Sequence, residues 1–333
     1  MKQFFKFLFA SILGFFISLF ILVFIFFIFS IALVSSFSKT ETVSISDNTI
    51  LELRLDYDLP ERSSYEPVNF SGIPRMSRTL GLNDLVKLIN SAKNDERIKG
   101  IFIDLDNLRI GGLAKINTIR ESLKDFKTSS KYIIAHGNSI SERAFYLASV
   151  ADSLYLTPTG TIEFDGFGME LTFFKGTLDK LDIEPQVFQY GKFKGSTEPF
   201  KLDKLSVENE LQLSQYLNSV YNNFLEKISV ELKIEKDSLR RFANNALINS
   251  AEDAKNHGFV NGLLYLDQVD SIMYKMSQSN NIPEKLSYKK YFYSSGSNSL
   301  SSDNRIAVIY ALGEITNGIG NEYTIGTKNI IES

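Results

Sequence analysis

The chain contains no cysteine, no tryptophan and only two histidines, His136 and His257, in 333 residues. Without cysteine there is no disulfide framework, no thiol chemistry and no cysteine-based metal site. The two histidines stand apart, with no Asp-x-His spacing around them, so no zinc site is expected. Nor does a phosphate- or dinucleotide-binding glycine pattern follow any strand. Gly111-Gly112 lacks both the lysine and the spacing, and no cofactor is expected. A basic excess is missing as well: of the 36 Lys and Arg, two are Lys2 and Lys6, which leaves 34 against 39 acidic residues. That balance gives no footprint for nucleic acid and favours a neutral or apolar partner. With 44% of residues hydrophobic, disorder and collagen-like repeats are excluded too.

The longest absence is of charge, which is missing from Phe7 to Phe37, while 12 of the 27 phenylalanines precede Thr40. This run exceeds the roughly 20 residues a helix needs to cross a bilayer. A cleavable signal peptide has an apolar centre of only about 7 to 15 residues, so a retained anchor is expected over residues 1–38, although Ala32 and Ser35 would permit cleavage. Lys2 and Lys6 hold the N-terminus in the cytoplasm by the positive-inside bias. The expected location is therefore the inner membrane, single-pass, with the body on the periplasmic side of a Gram-negative cell.

The body reads as alternating strand and helix. Ile50 to Tyr57 places Leu51, Leu53, Leu55 and Tyr57 on one face of a half-buried strand. Leu59 to Leu80, with Pro60, Pro67, Gly72 and Pro74, reads as loop or extended chain. Asn83 opens a helix with Leu85, Leu88, Ile89 and Ala92 on one side, and Gly100 to Leu105 is a compact strand. Helix then strand recurs at Ile116–Phe126 and Lys131–Ala135, and again at Glu142–Val150 and Leu154–Leu156. Short apolar strands separated by helices predict an α/β body with parallel pairing. From Ser206 to Asn245 a polar helical layer is inserted, with Leu211, Tyr216, Val220, Phe224 and Ile228 spaced for one buried face. Tyr288–Tyr293 reads as a strand. The body is expected over residues 39–293 and a Ser/Gly-rich linker over 294–304. An apolar strand from Arg305 to Ile315 then opens a second copy of the domain, of which residues 305–333 are only the start.

Three segments carry a family resemblance. Tyr190-Gly191-Lys192-Phe193-Lys194-Gly195-Ser196-Thr197-Glu198-Pro199-Phe200 is similar to the G-x-[FY]-K-[SG]-[AS]-x-E-P-[FY] segment of the signal peptide peptidase A family, also called protease IV. Phe145 to Gly160 resembles the helix, strand and Pro-containing turn that precede that segment, and Asn249 to Asn261 resembles the A-x-x-A-x-x-x-G-[LF]-V-[DN] signature of the wider Clp protease and crotonase fold. The resemblance implies repeated ββα units of that fold, an N-terminal transmembrane helix and an inserted helical layer. It implies amide hydrolysis of cleaved signal peptides and other apolar peptides at the bilayer by a serine with a lysine base, in a homo-oligomer.

Lys194 matches the family's general base, a role that requires burial to favour its neutral amine. The family's A-A-S-G-G nucleophile run and N-S-P-G-G oxyanion run are both missing. Glu142 occupies the nucleophile position, Ser141 beside it is the alternative, and Gly111 and Gly112 are what remains of the oxyanion segment. The tandem form of the family implies that a second repeat or companion chain supplies the serine, and that this chain alone is inactive. The competing reading is a catalytically dead, membrane-anchored scaffold or interaction subunit. A crotonase-type acyl-CoA enzyme is disfavoured by the spanning segment. His136 as a base near Ser139 and Ser141 has no further support, His257 reads as a helix C-terminus beside Gly258, and Asp104 and Asp106 read as solvated.

Overall fold

Runs of Ile, Leu and Val become the strands of one parallel sheet in the computed structural model, which describes residues 2–37, 45–70, 73–277, 283–294, 308–321 and 324–332. Helix α1 (Lys2–Phe37) comes first, and its Lys2–Ser30 stretch of 29 residues is long and apolar enough to cross a membrane. Strand β1 (Thr49–Arg54) is followed by an antiparallel hairpin of β2 (Ser64–Phe70) and β3 (Ile73–Thr79). Helix α2 (Leu82–Asn94), β4 (Ile98–Asp104), α3 (Leu113–Lys127), β5 (Tyr132–Ile140), α4 (Glu142–Ala148) and β6 (Ser153–Ile162) then alternate. A helical insertion of α5 (Lys175–Lys180), α6 (Glu198–Lys201), α7 (Val207–Leu232), α8 (Lys236–Asn244) and α9 (Ala251–Asn256) precedes β7 (Gly262–Leu263). Helix α10 (Leu266–Met276), β8 (Glu284–Ser287) and α11 (Tyr288–Ser294) complete this part.

The strand order is β7-β6-β5-β4-β1-β8, and every pair is parallel. The mixed α/β class is as expected, and the connections from β4 to β5 and from β5 to β6 each run through one helix. Register carries the alternation of the pleat across the sheet. Leu53, Ile103, Ala135 and Leu154 align on one face and are buried under α2, α3 and α4. On the opposite face Ile50, Phe102 and Ile134 pack with Val269 and Met273 of α10. Gly100 is required by close approach, since a Cβ there would overlap the Tyr132 ring of the neighbouring strand.

Several expectations are corrected. Strand β1 ends at Arg54 and buries Ile50 as well as the Leu51–Leu53 face, because it is an interior strand covered on both sides. The loop or extended chain expected around Pro67 and Pro74 takes the form of the hairpin β2–β3; proline has no N–H to donate, and a two-stranded ladder tolerates it where its nitrogen faces away from the partner strand. Residues Tyr288–Ser294 are helical, with Tyr288 and Tyr291 buried three residues apart. In α7 the buried face is Tyr221, Phe224, Leu225 and Ile228, while Leu211 and Tyr216 in its first half are exposed.

Contacts divide the chain into Met1–Ser295 and Gly296–Ser333. Residues 295–307, which carry most of the expected linker and the start of the expected 305–315 strand, lie outside the described residues. Val308 to Leu312 forms no strand, and Val308 and Ile309 are exposed. Strand β9 (Glu314–Thr316) instead pairs with β10 (Thr324–Gly326), ahead of α12 (Thr327–Glu332). A two-stranded sheet this short offers the apolar run no face to bury against.

One buried cation ties three helices together. Arg120 on α3, 1% exposed, donates from Nη1 to the Tyr146 carbonyl and to Ser149 Oγ, lies 4.2 Å above the Tyr146 ring, and faces Glu231 of α7 at 3.7 Å. Removing one member of such a buried set strands the others. Arg120→Ala is expected to lower stability by about 3 kcal/mol, read from urea unfolding of the solubilised chain by tyrosine fluorescence; a loss below about 1 kcal/mol, the worth of an exposed pair, contradicts it.

Candidate functional site

Parallel strands deliver their carboxyl ends to one edge of the sheet, and polar side chains gather there. Asp106, just past β4, accepts from the backbone N–H of Asn138 at 2.8 Å and of Ser139 at 3.3 Å, and from Asn138 Nδ2. Asn138 Oδ1 accepts from Thr157 Oγ1, which also contacts His136 Nε2 at 3.3 Å. His136 is 4% exposed and its Nε2 meets the Leu264 carbonyl at 3.1 Å. The chain of contacts crosses β4, β5, β6 and the end of β7, so Asp106 is a cross-strand tie and not the solvated carboxylate expected. Asp104 accepts from the Asp106 N–H at 3.0 Å and faces Arg54 at 3.7 Å. His257 caps α9 and packs on Phe242, with ring centroids 4.7 Å apart. Among the described residues no group of three or more metal-ligating side chains is assembled.

At the expected nucleophile position, Ser141 is the N-cap of α4 and its Oγ accepts from the Ala144 N–H at 3.3 Å. Glu142 is the first residue of that helix, and its Oε1 accepts from the N–H of Gly166 at 2.9 Å. Gly166 takes a left-handed φ of 93°, which turns that N–H toward the carboxylate. Burial pushes the Glu142 carboxyl up to about 7, against the Gly166 hydrogen bond that pulls the other way, and Asp165 adds to the rise. Glu142 is therefore a half-buried structural carboxyl. Gly112, with φ at 79°, stands exposed at the start of α3, and a Cβ on Gly111 would lie 3.7 Å from Asp58 Oδ1. A carboxylate next to the remaining glycines opposes a developing oxyanion.

Lys194 lies elsewhere, immediately before a short 3-10 turn (Gly195–Thr197) that runs into α6. Its side chain is exposed, which corrects the expectation of burial within this chain. Its neighbours share the exposure: Phe188, Tyr190 and Phe193 are themselves 94%, 96% and 54% exposed, so the apolar segment finds little cover among the described residues. Among the described residues, no hydrogen bond or ion pair joins the Lys194 amine to Ser141 or Glu142. Glu198, four residues on, is the group that sequence reasoning passed over. It is 2% exposed and accepts from the Ser206 N–H at 3.1 Å, the Ser206 hydroxyl and Asn209 Nδ2 at 3.0 Å. Burial alone would raise this carboxyl, but the Ser206 and Asn209 hydrogen bonds outweigh it and hold it below the usual carboxylate range.

Residues 125–280 match the model of peptidase family S49. The chain is 28% identical, over 92% of its length, to the Haemophilus influenzae protein named Protease 4, and spans 53% of that protein. It is 30% identical to Protease 4 of Salmonella typhi over 71% of its length, spanning 40% of that relative. To the chloroplastic serine protease SPPA of Arabidopsis thaliana it is 27% identical over 65% of its length, spanning 32%. Membership in peptidase family S49 is supported. The chain spans about half the length of these relatives or less. The S49 match includes Glu142, Lys194 and Glu198 but ends short of Gly111 and Gly112.

The raised Glu142 carboxyl has a consequence for stability. Folded, it keeps its proton up to about 7, whereas its ordinary value is 4.5, so between these values the folded state binds more protons than the unfolded one. Its contribution is complete below about pH 4.5 and is lost as pH rises toward 7. Glu142→Gln keeps an acceptor for Gly166 and cannot ionise, so it is expected to match the native chain at pH 4.5 and exceed it in stability at pH 8. Urea midpoints at the two values check this; equal midpoints at pH 8 contradict it.

Proposed function

We propose that the chain belongs to a membrane-anchored serine endopeptidase that degrades cleaved signal peptides and similar apolar segments, with a Clp protease/crotonase-like body. Lys194 is the general base, and the nucleophilic serine comes from a second repeat or a companion chain in a larger, oligomeric assembly. The observation that carries this reading is the placement of Lys194, whose amine is exposed amid uncovered aromatic side chains while Glu142, at the nucleophile position, is held by Gly166. An incoming surface that covered Phe188, Tyr190 and Phe193 would strip water from the amine and favour its neutral form. The neutral amine then takes the serine proton as the serine oxygen attacks the peptide carbonyl, and returns it to the leaving nitrogen when the C–N bond breaks. Helix α1 keeps the site beside substrates left in the bilayer.

A second reading has its own support. The Glu142–Gly166 hydrogen bond and the Asp58 carboxylate beside Gly111 suit a scaffold subunit that has kept the fold without the chemistry.

Turnover in the assembled protein, extracted from membranes, separates the two. Lys194→Ala is expected to lower kcat on an apolar peptide by at least about 100-fold, the low end for a general base, while Lys192→Ala changes little; near-native turnover in Lys194→Ala removes the base assignment. For topology, protease added outside intact spheroplasts is expected to digest the body and leave a membrane-embedded N-terminal stub. A protected body contradicts the periplasmic placement.

A further inference from the structure

Lys194 is held by its backbone, since its side chain has no packing to hold it. On one side its carbonyl accepts from Gln189 Nε2 at 2.7 Å, while Gln189 Oε1 takes the amine of Lys201. On the other side Gly195 approaches Asn209 so closely that a Cβ would overlap the carboxamide. Asn209 is 8% exposed and donates to Glu198, which also gathers the N–H and hydroxyl of Ser206. A carboxylate buried in a segment of otherwise exposed side chains is costly unless its acceptor sites are filled, and here every donor comes from the first turn of α7 and its cap. Helix α7 does not depend on this carboxylate for its capping, because Ser206 Oγ already accepts from the Asn209 N–H at 3.2 Å. What the carboxylate adds is a tie between the turn that carries Lys194 and a helix of 26 residues.

We infer that Glu198, acting through Ser206 and Asn209, is a positioning residue for Lys194. It locks the Lys194–Gly195 backbone against α7, so that the exposed amine reaches for the incoming serine from a fixed point of attachment. The inference rests on the reading of Lys194 as general base. A base displaced by about 1 Å loses on the order of 100-fold in rate, and the tie addresses that loss.

Glu198→Gln keeps the shape but loses the charge, and its amide donor must face either Asn209 Nδ2 and the Ser206 N–H or the Ser206 hydroxyl, which already accepts from the Asn209 N–H; Glu198→Gln with Asn209→Asp offers that donor a carboxylate acceptor. In the full chain, hydrogen exchange of the Ser206 amide and of residues 194–197 is expected to rise by about tenfold in Glu198→Gln, a local opening. The melting temperature should stay nearly unchanged, and the double variant should reverse the rise. In the assembled enzyme, Glu198→Gln is expected to lower kcat by about 100-fold with little change in KM, and the double variant to regain at least about tenfold, as groups in contact do. Native exchange and native kcat in Glu198→Gln overturn the inference, and with Lys194→Ala inactive they leave the base assignment standing. Full turnover in Lys194→Ala overturns the base assignment and the positioning role together. Equal impairment of single and double variants, with melting temperature falling in step, reduces Glu198 to a general folding role and also overturns the inference.

Discussion

The structure depends on one constraint: a parallel sheet has to be buried on both faces. Parallel neighbours cannot be joined by tight turns, so each strand leaves at its carboxyl end and returns through a covering segment. That is why α3 and α4 lie over the face bearing Leu53, Ile103 and Ala135, and why α10 is needed to bury Ile50, Phe102 and Ile134 behind it. The same routing sends every strand end to a single edge. Asp106, Asn138, Thr157 and the start of α4 meet there as a consequence of connectivity, and their hydrogen bonds then fix how the edge is shaped.

The alternation of elements was legible because burial imposes periods of 2 and 3.6 on the apolar residues. It was least legible where hydrogen bonding rather than burial decides. Strand β5 continues through His136 to Ile140, and β6 through Thr157 to Ile162, past the apolar runs that announced them, because Ser139 pairs with Thr161 and Ile140 with Ile162 across a register shift. Apart from Ile140 and Ile162, the residues of these extensions are polar, small or proline and carry no periodic signal. The aromatic run Tyr288–Tyr293 misleads in the opposite sense. Its composition favours a strand, yet Tyr288 packs on Tyr57 and Tyr291 reaches Asp95 with its hydroxyl at 3.1 Å, both from one face of a helical turn.

The site was legible only in part, for a related reason. The segment around Lys194 matches a family pattern by its residues, but those residues do not say whether the amine is covered. The apolar character of Phe188, Tyr190 and Phe193 reads as burial, and in this chain they are solvent-facing. Pattern reveals that a surface is apolar and leaves open which molecule covers it. Glu198 shows the converse. As one letter in a motif it reads like any exposed acid, and only the fold, by bringing Ser206 and Asn209 eight and eleven positions along the chain back to it, reveals a buried carboxylate.

The two carboxylates Glu142 and Glu198 show how differently burial can be resolved. Glu198 has donors enough to stay ionised while buried; for Glu142 burial outweighs its backbone hydrogen bonds, that from the Gly166 N–H at 2.9 Å among them, and drives it toward its neutral form. Placing a serine at position 142 would remove that bond and leave the Gly166 N–H unmet, in a loop already turned to serve it. Among the described residues no hydrogen bond or ion pair joins the Lys194 amine to Ser141 or Glu142, and a Cβ on Gly111 would lie 3.7 Å from Asp58 Oδ1, where an oxyanion would need donors. Nucleophile, base and oxyanion donors have to coincide for hydrolysis. In this chain the fold sets Lys194 on a turn fastened to α7 and gives Ser141 and Glu142 structural hydrogen bonds at the start of α4.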